Sequence, residues 1–212
     1  MAQTQETVEV ASERIARVIE EEQRAKSKAT KAGDLVPTVD AITREWLTDV
    51  LCGDATGAEV ADFEISLVSA GTHARHRLKV TYNQTGVEAN LPTALFTKTL
   101  PTVENRMMVG ITGHARTEGG FYTQLRPELD LEIPLCYHST VDRNSCAAVH
   151  ILEDLVATKG ATFTNYETYV TREMAEDMVD LLAGLHGPFY DDPRVESDFK
   201  WVARFTRWFM GG

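Results

Sequence analysis

The 212-residue sequence contains no run of about 18 consecutive apolar residues, so no segment has the make-up of a membrane-spanning helix. Cysteine is scarce: Cys52, Cys136 and Cys146 stand far apart and form no CxxC pair. That excludes a dense disulfide framework and a cysteine-based zinc site, and it suits buried thiols in a reducing compartment. Basic residues are also in deficit. Lys and Arg number 21 against 32 Asp and Glu, a formal net charge of -11. An extended nucleic-acid interface needs a basic face to neutralise phosphates, so nucleic acid is not an expected partner, although a local basic groove stays open. The opening residues, MAQTQETVEV, have neither the basic start nor the apolar centre of a secretory signal, and a soluble cytoplasmic protein with no membrane partner is expected. The sequon Asn83-Gln84-Thr85 is then a matter of turn chemistry.

What is present is ordinary globular material, 43% hydrophobic and 25% charged, in a chain long enough to bury a real core. Residues 4–32 read as a helix of mixed charge. Val8, Ala11, Ile15 and Val18 share a face, which ends where Glu20, Glu21, Glu22, Arg24, Lys26 and Lys28 gather. The short stripe predicts a solvated N-terminal extension over 1–36, with a coiled-coil helix as the alternative. A second helix is expected from Thr38 or Asp40 to Gly53, with Ile42, Trp46, Leu47, Val50 and Leu51 at helical spacing.

The period then changes to two. Phe63, Ile65 and Leu67 alternate, as do Leu78, Val80 and Tyr82, and a third strand is expected at about 93–98. Residues 103–126 read as a helix interrupted by glycines. Two more strands follow near 132–138 and 146–152, joined by Asp142-Arg143-Asn144-Ser145. Beyond about 164 the pattern is helical, with Met174, Met178, Leu181, Leu182 and Leu185 on one face until Gly187-Pro188. The fold class is α+β: a five-stranded antiparallel sheet with one inserted helix over 37–152, then a helical region over 153–212.

Within the apolar stretch LPTALFTKTLP, Lys98 has no acidic neighbour. A lysine near a strand end commonly runs its stem over apolar surface and its ammonium into water. The alternative is a partner from another element. A lysine on the third strand can reach nucleotide phosphates, and a glutamate on the following helix can hold its flexible stem. Glu118, beside Phe121 and Tyr122, lies in that helix; alone it would be a solvated carboxylate. Gly71 and Thr72, between the first two strands, fit either a plain hairpin turn or a loop that brings backbone N–H groups to phosphate. Leu152, Glu153 and Asp154, after the fifth strand, could offer extended backbone to an adenine edge, and the acidic pair could equally cap and solvate.

With SAGTHARHRLKVTY, LPTALFTKTLP, TEGGFYTQLRPEL, IPLCYHS, ILEDL and LLAGLHGPFY in this order, residues 37–208 resemble the aminoglycoside phosphotransferase superfamily, nearest its ecdysteroid-kinase-like and choline-kinase-like branches. The resemblance implies a protein-kinase-like fold. It implies ATP- and magnesium-dependent transfer of a γ-phosphate to a hydroxyl of an unidentified small molecule. Carried over by position, Lys98 would contact the phosphates, Glu118 would hold Lys98, Gly71 and Thr72 would cover the phosphates, and Leu152, Glu153 and Asp154 would line the adenine site.

The same resemblance requires a catalytic aspartate in a His-x-Asp motif and metal-binding aspartates beyond it. None of the six histidines has an aspartate two positions on; His186-Gly187-Pro188 carries proline there, and no Asp-x-Asp occurs. A chain cut before its catalytic loop and inactive alone is therefore expected, with Trp201, Phe205, Trp208 and Phe209 left as an apolar end suited to self-association. A nucleotide-binding, pseudokinase-like regulatory module is the alternative from a different class, and an unrelated α+β interaction module is a third.

Overall fold

In a computed structural model, which describes residues 7–202, five strands form one antiparallel sheet. They are β1 (Val60–Ala70), β2 (Ala74–Tyr82), β3 (Ala94–Thr99), β4 (Cys136–Val141) and β5 (Ala148–Glu153), in the spatial order β1-β2-β3-β5-β4. The first three make a meander. The last two make a hairpin whose second strand inserts between β3 and β4. Period-two alternation sets which side chains share a face. Leu78, Val80 and Tyr82 of β2, Leu95 of β3 and Val149 and Ile151 of β5 are buried together in the main core.

That core is closed by helix α2 (Arg44–Leu51), whose Trp46 and Leu47 are fully buried and whose Leu51 is nearly so. Thr43 caps it by accepting from the Trp46 N–H. Burial of each such side chain contributes about 1.5–3 kcal/mol. The expected helix from residue 38 divides instead into a short 3₁₀ turn, Val39–Ala41, and α2. The turn expected after Tyr82 is a one-turn helix, α3 (Gln84–Glu88), capped by Asn83.

Between β3 and β4 runs a helical insertion in two parts. The first is α4 (Val103–Asn105), extended by a π-helical turn over Arg106–Ile111. The second is α5 (His114–Gly120), extended by another over Phe121–Leu125. Gly113, at φ 81, supplies the left-handed conformation that separates the parts. Strand β4 starts later than the period predicts, because Leu131–Leu135 form a loop whose last carbonyl accepts from the Glu153 N–H. The turn at Asp142–Ser145 forms as expected, Asp142 accepting from the Ser145 N–H at 2.6 Å.

Helix α1 (Val8–Ala25) departs from the solvated extension expected of 1–36. Ala11, Ile15 and Ile19, spaced by four, are buried, and the two isoleucines pack with Cys146, Val103 and Met107. The charge cluster that looked like a solvated face contains Glu22, which pairs with the fully buried Arg106. After β5 come α6 (Leu155–Lys159) and α7 (Arg172–His186), the latter starting eight positions beyond the expected 164 because Thr171 caps it. Met178, Leu181 and Leu182 of α7 lie exposed.

Trp201 is half-buried, stacked over α5 at Gly120, with its Nε1 donating to Gln124 Oε1 at 3.0 Å. Trp201 thus has partners within the fold. Phe205, Trp208 and Phe209 lie outside the described residues. Among the described residues no helix is long and apolar enough to cross a membrane.

Candidate functional site

The face of the sheet opposite α2 carries a polar row. Arg75 of β2 pairs in register with Lys98 of β3, Lys98 with His150 of β5, and His150 with Ser139 of β4. Residues paired across strands project to the same side, so four polar side chains line up along one face. Helix α5 lies over the β4 end of this row and delivers Glu118 to it.

Lys98 donates to Glu118 Oε1, and both side chains are about one-fifth exposed or less. The two residues the sequence singles out are thus brought together. Two histidines that sequence reasoning passed over join them. His73 Nε2 lies 3.5 Å and His150 Nε2 4.0 Å from Glu118 Oε2. His150 is completely buried, and its Nδ1 is 2.8 Å from Ser139 Oγ. The Nε2 of each histidine is buried without a hydrogen bond.

Burial is the chief reason both imidazoles are pushed down, each to about 4. For His73 the Lys98 charge adds to that effect; for His150 the Glu118 carboxylate opposes it. Both are neutral at pH 7. Burial raises Glu118, but the charge that His150 acquires in the acidic range, together with Lys98, outweighs it and leaves the carboxyl below its ordinary 4.5. At neutral pH the cluster holds one ammonium, one carboxylate and two uncharged imidazoles.

The sequence Thr117-Glu118-Gly119-Gly120 explains how α5 comes this close. A Cβ at Gly119 would stand 3.0 Å from Ser139 Oγ, and one at Gly120 would stand 2.5 Å from the Trp201 ring. Glycine at both positions lets the helix press on β4 from one side and take Trp201 on the other. Ser139, His150 and Glu118 superficially line up as nucleophile, base and orienting acid. Ser139 Oγ lies against Gly119 of α5 and is part-buried there, so the row positions Glu118.

The loop between β1 and β2 sits at the same end. The Gly71 carbonyl accepts from Asn105 Nδ2 at 2.7 Å, which ties the loop to α4. A side chain at Gly71 would meet only Arg75 Nη1 at 3.9 Å, so no crowding within the protein demands glycine there. Thr72 is exposed beside it, its Oγ1 3.5 Å from His73 Nδ1. One row further along the same face, Phe96 pairs in register with Leu152, an apolar floor next to the polar row.

Glu153 and Asp154 stand apart from this cluster. Glu153 accepts from the Leu135 N–H and from Thr158 Oγ1 at 2.7 Å. Asp154 caps α6 through the Val156 and Ala157 N–H groups and pairs with Arg77 at 3.0 Å. Their own backbone N–H groups are taken by the Leu135 and Ala94 carbonyls. Both side chains hold the turn after β5.

His73 is not legible as a site residue because a lone histidine in a turn carries no periodic signal. For His150 a signal existed: alternation in Ala148–Glu153 sets it opposite Val149 and Ile151, on the face of Lys98.

No family model matches the chain, and neither the curated proteins nor the solved structures contain a match.

Proposed function

We propose that the chain binds ATP in the manner of a phosphotransferase that acts on a hydroxyl of a small molecule, of the aminoglycoside phosphotransferase-like type. The observation that carries this reading is the Lys98–Glu118 ion pair. The lysine comes from the third strand, and the glutamate comes from the helix inserted between β3 and β4. The strand order β1-β2-β3-β5-β4 supports a kinase-like lobe, because it sets that helix against the face on which Lys98 stands.

Phosphate binding by such a pair is electrostatic. Glu118 fixes the lysine stem, and the ammonium meets the charge of a phosphate chain. Arg75, adjacent to Lys98 in register, adds a second cation on the same face. Gly71 and Thr72 stand where backbone and hydroxyl could cover the phosphates. Phe96 and Leu152 provide the apolar surface on which a base would lie, whereas Glu153 and Asp154 support the turn beside it.

Among the described residues, no three His, Cys, Asp or Glu side chains converge where a metal ion could sit. The described residues thus do not fit a protein-held magnesium ion. Magnesium enters this reading only as the counterion of ATP. With no His-x-Asp motif in the sequence, the expectation for these 212 residues is binding without transfer.

The test is calorimetric titration of the purified chain with magnesium-ATP. Binding by the wild type and a loss of tenfold or more in Lys98→Ala, at an unchanged far-UV spectrum, is the expected result. Equal affinity in the two proteins overturns the phosphate role of Lys98. Binding without phosphoryl transfer is expected of these residues under either reading, whereas transfer to a supplied hydroxylated acceptor would overturn the pseudokinase-like alternative.

A further inference from the structure

Arg106 is wholly buried, and its guanidinium gathers four elements. Nε donates to the Leu100 carbonyl at 2.9 Å, just beyond β3, and Nη1 donates to the Ser145 carbonyl at 3.2 Å, in the β4–β5 turn. Nη1 and Nη2 grip the Glu22 carboxylate of α1 at 3.0 and 2.6 Å. Arg106 itself begins the π-helical turn that leads into the helix of Glu118. Helix α1 makes a second attachment to the β4–β5 turn through Arg14, which donates to the Asn144 carbonyl. Ile15 and Ile19 are buried on the same side.

Glu22 is the carboxylate hydrogen-bonded to this fully buried guanidinium, with Asp142 acting on it only through its charge, and a buried cation that loses its bonded partner is driven towards water. Any such movement of Arg106 releases its hold on Leu100 and Ser145 at once. Leu100 lies two positions beyond Lys98, and the π-helical turn feeds α5. Both halves of the Lys98–Glu118 pair are therefore referenced to the same guanidinium.

We infer that α1 is a positioning element for the candidate site: Glu22, through Arg106, holds the helix that presents Glu118 to Lys98. The inference takes its functional meaning from the phosphate-binding reading, but its test needs no nucleotide. Lys98 is shielded by its pairing with Glu118, so the rate at which an N-hydroxysuccinimide ester acetylates Lys98 Nζ reports whether the pair is intact. Mass spectrometry of the full chain would follow that rate in the wild type, Glu22→Ala, Glu22→Gln and Glu118→Gln. Alkylation of the buried Cys52, in the core on the other face of the sheet, would be followed in parallel to detect general loosening.

The expected order is Glu118→Gln fastest, Glu22→Ala about three- to tenfold above wild type, and Glu22→Gln between the last two, with Cys52 protected throughout. Wild-type acetylation in Glu22→Ala, alongside acceleration in Glu118→Gln, overturns the inference. So does acceleration that appears only together with Cys52 exposure. If Glu22→Ala does not fold, Glu22→Gln decides by the same criteria, since it keeps the side-chain length and one acceptor oxygen while removing the charge and the second acceptor. Failure of Glu118→Gln to accelerate the reaction also overturns the inference, because the pair is then not what shields Lys98. A chain that shows the expected order yet binds no nucleotide leaves the positioning role standing and removes the phosphate reading.

Discussion

The two faces of the sheet are built on opposite principles. Against α2, Trp46, Leu47 and Leu51 meet Leu78, Val80, Leu95 and Ile151 in an apolar layer. Against α5, the residues in register are Arg75, Lys98, His150 and Ser139, and the helix answers with Glu118. The first face derives its stability from area removed from water and tolerates little loss of volume. The second keeps a charge pair and two unprotonated imidazoles at low exposure, which limits its net contribution to stability. Stability is concentrated on one side and chemistry on the other, within the same five strands.

The largest break in that asymmetry should come from the apolar side. Trp46→Ala is expected to cost about 3–5 kcal/mol, read as a shift in the urea midpoint. Lys98→Ala should stay within about 1 kcal/mol of wild type in the same titration, since it removes an ion pair and not a core side chain. A comparable loss in both variants would show that the polar face carries the fold as well.

Acid should act selectively on the polar face. His73 and His150 have folded-state values near 4 against an ordinary 6.5, so the unfolded chain binds more protons throughout that window. Stability is therefore complete above about pH 6.5 and declines as pH falls towards 4, by about 2 kcal/mol for each histidine between pH 7 and pH 5. Glu118, held below 4.5, contributes a further loss only beneath that value. Denaturant titrations of His150→Gln at the two pH values should show a shallower decline than the wild type.

Gly120→Ala probes the outer side of α5. The new Cβ cannot share space with the Trp201 ring, so Trp201 should leave the helix at a cost of about 1–3 kcal/mol. Its fluorescence should shift to the red, while the α2 face keeps its slow amide exchange. Smallest of all should be Arg77→Ala. The Arg77–Asp154 pair is half-exposed on the arginine side, and its loss is expected to cost below about 1 kcal/mol. Asp154→Ala should cost more, by roughly 1 kcal/mol, because the cap of α6 goes with it.

The asymmetry also explains what could be read from sequence. The apolar face announces itself through period, so β1, β2, β3 and α2 lie close to where alternation and helical spacing set them. Lys98 is legible because it stands within an apolar strand, and Glu118 only through its place on the helix that follows, since alone it reads as a solvated carboxylate. The row between them is not legible, since Arg75, His150 and Ser139 become neighbours only through strand pairing. The docking of α1 was hidden for a related reason. Its stripe of Ala11, Ile15 and Ile19 is narrow, and the partner of Glu22 is an arginine on the far side of three strands in the chain. The start of β4 was misjudged because Leu131, Ile133 and Leu135 alternate as a strand does, although they lie in a loop.

The strand order has a kinetic consequence. The β1-β2-β3 meander and the β4–β5 hairpin each close over short loops, whereas the β3–β5 seam joins residues separated by the whole helical insertion. Closure of so long a loop forfeits chain entropy before any contact repays it, so the seam should form late in folding. Lys98 and His150 face each other across that seam. The chain thus carries its polar residues in two separately nucleated halves, and the candidate site comes into being only as those halves meet.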